Sequence, residues 1–266
     1  MTELTIGTVE VQRLGTAMLK AVVSVFEKEN IPYFMSYGSL LGTVRHSGPI
    51  PWDYDIDLSV PESEVDRAVE AVERNLNDQY WVDYRNKDYT LKPFPRIGLK
   101  GYDTRILHVD VFRLSGLPGK GLEQKIMMTR GRILWLLWKA KTINPNIYYS
   151  KNKTKRIIAT GLKCLVLPVS VSQIINTYDR LSKKYDVFST ECIAEINEPS
   201  SVHNTELFES YIMMPYSDFS VRVPSGYKTI LKNLYGEYMN FPPEEERIKG
   251  EKAIWHIKPA FHNNTF

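Results

Sequence analysis

Asp55 and Asp57, two carboxylates with a single residue between them, are well placed to do chemistry in this chain. Across residues 54–60, Asp55, Asp57 and Ser59 alternate with Ile56, Leu58 and Val60, so strand periodicity sets both acids on one face. Like charges that close are costly unless a cation neutralises them. Mg²⁺ or Mn²⁺ would do so, since hard divalent ions take oxygen ligands and magnesium commonly shares one or two carboxylates with substrate phosphates. A solvent-facing strand would show the same spacing. A third acid, Asp110, stands between Val109 and Val111, where a lone carboxylate loses its hydration. If its strand lies beside the first, Asp55, Asp57 and Asp110 make a three-carboxylate metal site. Otherwise Asp110 pairs with Arg105 or His108. Upstream, Gly38-Ser39 lies at a strand-to-helix junction, where backbone N–H groups and the positive helix end can hold a phosphate. A plain turn is the alternative.

The elements that must position these residues follow from periodicity. Residues 9–29 carry Val11, Leu14, Met18, Val22, Val25 and Phe26 at three- and four-residue steps, a helix stopped by Pro32. A short strand is predicted at 33–36, and Ser39 can cap a helical segment over 40–46. Gly48, Pro49 and Pro51 break the next stretch into a loop. Strands are predicted at 54–60, 80–84, 96–100 and 105–114. Helices are predicted at 61–76, from Gly121 to Ala140, at 171–185 and at 225–235. Together they describe an α+β chain whose mixed sheet is flanked by helices, with a basic helical insertion and a C-terminal lobe.

At 266 residues the chain holds one large or two small domains, at about 150 residues each. Its 43% hydrophobic and 24% charged residues exclude collagen, coiled coil and wholesale disorder. Two cysteines, Cys164 and Cys192, lack metal-ligand spacing and read as buried thiols of a reducing compartment. No signal segment or stretch of about 20 apolar residues is visible, so the expectation is a soluble, cytoplasmic chain. Charge placement says more than the net +3. Between Lys120 and Lys163 stand eleven Lys or Arg against one acid, Glu123, a local +10 set against −7 elsewhere.

The stretch GSLLGTVRHSGPIPWDYDIDLSV, residues 38–60, resembles the signature of the LicD family, to which bacterial phosphocholine transferases belong. The fukutin group of ribitol-phosphate transferases is a more distant relative. HVDVF at 108–112 and VPSGYKTILKNLYGEYMNFPPEEER at 223–247 extend the resemblance. Tyr54 stands where an additional Asp is usual, and Ser36-Tyr37 replace an acidic-small pair. The resemblance implies a nucleotidyltransferase-like catalytic core over 1–116, the basic insertion over 117–190 and a lobe over 191–266 packing on the core. It further implies transfer of a phospho-alcohol from a CDP-alcohol, foremost CDP-choline, to a glycan hydroxyl of teichoic acid or lipopolysaccharide, with release of CMP. In that scheme Asp55 and Asp57 hold the metal that grips the donor pyrophosphate. Asp110 is a further ligand and a candidate base. Gly38 and Ser39 hold donor phosphate, and Arg45 or His46 neutralises the leaving group or is merely solvated. Trp52, Tyr54 and Tyr37 offer aromatic faces suited to a quaternary ammonium, or serve packing.

Two rival functions use the same residues differently. A nucleotidyltransferase would move the nucleotide itself with the same three acids. An RNA-binding module would use the basic segment with Trp135 and Trp138 but would need no acid cluster, so no nucleic acid is expected as a partner. The basic segment instead suggests an anionic membrane surface, on the inner face of the cell membrane, where a lipid-linked glycan acceptor is presented. Lys125, Arg132 and Lys139 would form the basic stripe there, and Leu134, Trp135, Leu137 and Trp138 would sink into the interface.

Overall fold

A computed structural model describes residues 4–85, 92–102, 106–145, 152–165, 168–251 and 254–257, which leaves Arg105 outside. In chain order, strand β1 (Leu4–Gly7) leads into helix α1 (Thr8–Lys28). Then come β2 (Phe34–Met35), α2 (Tyr37–His46), β3 (Ile56–Pro61), α3 (Val65–Asn75), β4 (Tyr80–Asp83), β5 (Arg96–Leu99) and β6 (His108–Leu117). Helices α4 (Leu122–Thr142), α5 (Lys153–Leu165) and α6 (Val171–Ser182) follow. The chain returns through β7 (Cys192–Ala194), β8 (His203–Asn204), β9 (Tyr211–Tyr216), β10 (Phe219–Pro224), α7 (Tyr227–Tyr235), α8 (Glu244–Glu251) and β11 (Ile254–Ile257). Helices and a mixed sheet together make the α+β class expected from the sequence.

The main sheet runs β2-β3-β6-β5-β4, with β3 and β6 parallel and the other neighbours antiparallel. The far half of β6 pairs with β7, and β7 with β8. Such a long strand is buried along nearly its whole length, which explains its run of Val109, Val111, Leu114 and Leu117. Helix α1 lays Val11, Met18, Leu19, Val22 and Phe26 onto the sheet through its apolar stripe.

Several expectations are corrected here. Helix α2 starts at Tyr37, two residues before Ser39, so Ser39 lies in the first turn and is no cap. Cys164 is exposed and only Cys192 is buried. Within α4, Trp138 is buried and Leu134, Trp135 and Leu137 are half-buried against the protein's own core. They are not free to enter a membrane. An aromatic chain takes them up: Tyr37 packs edge-on to Phe112 at 5.5 Å, Phe112 against Phe94 at 4.9 Å, Phe94 against Trp135 at 5.9 Å, and Trp135 stacks on Trp138 at 4.8 Å. Gly131 lets α4 close on the sheet side, because a Cβ there would stand 2.0 Å from the Ile196 carbonyl oxygen. No helix among the described residues is long and apolar enough to cross a membrane.

Arg113, on β6, fastens the helical segment to the sheet. Its buried guanidinium donates twice to Glu62, at 2.6 and 2.7 Å, and once each to Asp179 on α6 and to the Pro93 carbonyl. Removing one member of a buried network strands the other charges, at a cost of about 3–5 kcal/mol. Arg113→Met is therefore expected to lower unfolding free energy by about that amount in a urea titration. A loss below about 1 kcal/mol would show that the network is solvated in solution.

Candidate active site

The parallel pairing of β3 and β6 sets the geometry. Asp57 stands directly opposite Asp110, so the two side chains leave the same face of strands that run about 4.8 Å apart. Asp55 lies one residue before β3, at the mouth, with its side chain half exposed, whereas Asp110 is buried. The Ser39 hydroxyl accepts the Asp57 N–H at 2.9 Å and lies 3.4 Å from the Asp55 carbonyl, bracing the acid-bearing chain against α2. Gly38, beside it, leaves room for Asp53: a Cβ there would meet the Asp53 carboxylate at 2.8 Å. Asp53 in turn accepts the Tyr54 N–H at 2.8 Å and shapes the turn into β3.

Arg96 was not singled out in the sequence. It sits opposite Asp110 on β5 and grips both carboxylate oxygens at 2.6 Å. His108 Nε2 lies 3.6 Å from Asp110 and 3.9 Å from Asp55. Burial alone would push the Asp110 carboxyl up, but His108 and the Arg96 pair outweigh it and hold it below the usual range. The other two acids lack that relief. Burial, then the Asp110 and Asp55 charges, raises Asp57 well above an ordinary carboxylate. Burial, with Asp53 and Asp110, pushes Asp55 up to about 6. As the side chains stand, no three Asp, Glu, His or Cys residues among the described ones are grouped to hold a metal ion, and Arg96 engages Asp110. The donor chemistry nevertheless fits a hard cation: oxygen ligands only, two of them frustrated by mutual repulsion.

Arg45, His46 and Trp52 gather in a second group with Phe241 and Arg247. Arg45 donates to the Tyr238 and Asn240 carbonyls and lies over the Phe241 and Trp52 rings at 5.0 and 5.7 Å. Arg247 faces the same two rings at 5.7 Å. His46 packs edge-on to Trp52 at 5.7 Å. Burial lowers both Arg45 and His46 from their ordinary pKa values. This group ties α2 to the C-terminal segment, and Asp53, next in sequence to Trp52, connects it to the carboxylates.

Tyr235 and Tyr37 have surroundings that the sequence does not show. Desolvation, followed by the Asp57 and Asp53 charges, pushes the Tyr235 phenol on α7 up to about 12. Tyr37 adopts φ +46°, a left-handed conformation costing about 1–3 kcal/mol for a residue with a side chain. Its hydroxyl donates to buried Glu195 at 2.5 Å. Burial, with Glu198 and Asp110 adding repulsion, pushes Glu195 up to about 8. Aromatic residues before Gly-Ser give no hint of such a partner 158 residues away.

A raised carboxyl pKa has a definite sign. The native protein keeps a proton that the unfolded chain gives up near pH 4.5, so stability falls as pH climbs from there towards 8. Glu195→Gln cannot ionise and escapes that loss. In urea titrations its stability relative to wild type is expected to rise steadily between pH 4.5 and 8. A pH-independent difference would contradict the buried, strained carboxyl.

Comparisons with known proteins cover the segment that carries these residues. A family model described as LicD/FKTN/FKRP, nucleotidyltransferase domain, matches residues 30–149, which include Gly38, Asp55, Asp57, Arg96 and Asp110. Lipopolysaccharide cholinephosphotransferase LicD of Haemophilus influenzae is 23% identical over 242 residues, 83% of this chain and 87% of that protein. Ribitol 5-phosphate transferase FKRP of Homo sapiens is 51% identical over 39 residues, 15% of this chain and 8% of that protein. The opposed acids and the Gly-Ser turn thus lie inside the segment, residues 30–149, that is similar to the LicD/FKTN/FKRP nucleotidyltransferase domain.

Proposed function

We propose that the chain is a phosphotransferase that moves a phospho-alcohol, foremost phosphocholine from CDP-choline, onto a hydroxyl of a cell-surface glycan precursor and releases CMP. The observation that carries this reading is the register of Asp57 against Asp110, with Asp55 at the mouth, inside a segment similar to the LicD-family domain. Relatives named for cholinephosphate transfer to lipopolysaccharide and for ribitol 5-phosphate transfer support the choice of donor class. The acceptor is lipopolysaccharide or teichoic acid, presented as a lipid-linked precursor at the membrane.

The reaction is an in-line displacement at phosphorus, in which positioning and charge neutralisation supply most of the catalysis. Asp55 and Asp57 would hold a Mg²⁺ or Mn²⁺ ion, with Asp110 completing the set when Arg96 yields one oxygen. Such an ion, when bound, neutralises charge on pyrophosphate oxygens. Arg96 adds positive charge at the same place, and His108 does so when protonated. The backbone N–H groups in the first turn of α2 would hold donor phosphate beside Gly38. Ser39 contributes through its backbone, since its hydroxyl is committed to β3. Arg45, His46 and Trp52 would contact the leaving nucleotide from the C-terminal side. Held low by Arg96, Asp110 is the weakest base of the three acids.

Transfer of the nucleotide itself would use the same acids, so products decide. With CDP-choline, CDP-ribitol and Mg²⁺ supplied, the expected products are CMP and a modified glycan. Pyrophosphate with a nucleotidylated product would establish the rival. Asp57→Asn is expected to abolish CMP release while the circular dichroism spectrum and melting temperature stay near wild type. Near-wild-type CMP release by that variant, or in EDTA, would contradict the assignment.

A further inference from the structure

Helix α4 presents two apolar faces, and only one is used. Met127, Met128, Gly131 and Trp138 are buried on the side of β7 and α6. On the opposite side, Leu122, Ile126, Ile133 and Leu136 are 74%, 48%, 49% and 53% exposed. With Thr129 they are spaced four, three, four and three residues apart, which places all five on one outward stripe. Basic residues border it on both sides: Lys125, Arg132 and Lys139 along one edge, Arg130 and Lys141 along the other. The helix's one acid, Glu123, is drawn away by Lys184 at 3.0 Å and Tyr185 at 2.5 Å. Neighbouring α5 repeats the composition, with Ile157 and Ile158 exposed among Lys153, Lys155 and Arg156.

We infer that the outward stripe of α4 is a docking face for an anionic lipid surface, with Leu122, Ile126, Ile133 and Leu136 entering the interface and the flanking cations meeting lipid headgroups. Charge complementarity selects the occupant. A helix apolar on its outer face and basic along both edges matches the pattern of helices that lie in a membrane interface. Juxtamembrane cations gain from the negative potential of anionic lipids. A second copy of this chain would bring the same cations against each other, and a nucleic acid would have no use for four exposed aliphatic side chains. The inference rests on the transferase reading only for its purpose, which is to bring the site to a lipid-linked acceptor.

Flotation with vesicles tests it on the full chain. Wild type is expected to float with phosphatidylglycerol vesicles at low salt, at least tenfold more than with phosphatidylcholine vesicles, and to detach as salt rises. Ile126→Ser/Ile133→Ser/Leu136→Ser and Lys125→Glu/Arg130→Glu should each lose at least tenfold in partitioning while keeping the wild-type melting temperature. Because none of these residues lies at the carboxylates, CMP release from CDP-choline in solution should be unchanged, so docking and transfer fail separately. Equal binding to both lipids would overturn the inference. So would anionic binding that the stripe variant retains, or a stripe-dependent dimer that ignores vesicles.

Discussion

Asp57 and Asp110 cannot move apart. Each belongs to a strand whose other residues fill the core: Ile56, Leu58 and Val60 on β3, Val109 and Val111 on β6. Because side chains alternate along a strand, a one-residue slip would turn every one of these apolar groups out of the core. Apolar burial therefore enforces a contact between like charges that electrostatics opposes. Much of the surrounding structure answers that repulsion. β5 places Arg96 opposite Asp110, β6 begins with His108 at its edge, and Ser39 ties down the backbone on which Asp57 rides. Only Asp110 is relieved by this arrangement. Asp55 and Asp57 keep raised pKa values, the mark of carboxylates whose charge is not neutralised by their neighbours.

The acids and their strands were legible because local pattern determines them. Alternation over 54–60 and around Asp110 names the strands, and the apolar neighbours of Asp110 announce its burial. Their pairing was a conditional inference that the register now supports. Partners from other elements were not legible. Arg96 meets Asp110 only because two strands lie antiparallel, and Glu195 meets Tyr37 across 158 residues. No local spacing encodes such contacts. The helix over α4 was readable, but its orientation was not, since apolar residues at every third or fourth position occupy both of its faces. Trp135 and Trp138 looked suited to a membrane and instead extend an aromatic path back to Tyr37.

That path gives the segment after β6 a structural part in the site. Trp138 and Trp135 on α4 back Phe94, Phe94 backs Phe112, and Phe112 supports the strained Tyr37 next to Gly38. β7 continues into Glu195, which holds the Tyr37 hydroxyl. On the C-terminal side Arg247 lies over Trp52, and the Arg45 guanidinium holds the Tyr238 and Asn240 carbonyls. Side chains of α4 and of the C-terminal segment thus back or adjoin the elements that precede the acids of β3 and β6.

Manganese binding followed by electron paramagnetic resonance tests the central claim most directly, because it reads occupancy of the acid cluster without reference to any substrate. Titrating the metal-free protein with Mn²⁺ at neutral pH is expected to reveal a bound ion whose affinity falls on acidification, as Asp55 and Asp57 take up protons. That ion should be lost in Asp57→Asn. Mn²⁺ binding of equal affinity in wild type and Asp57→Asn, or none in the folded wild-type protein with CDP-choline present, would contradict a cation-relieved pair of acids as the organising feature of this site.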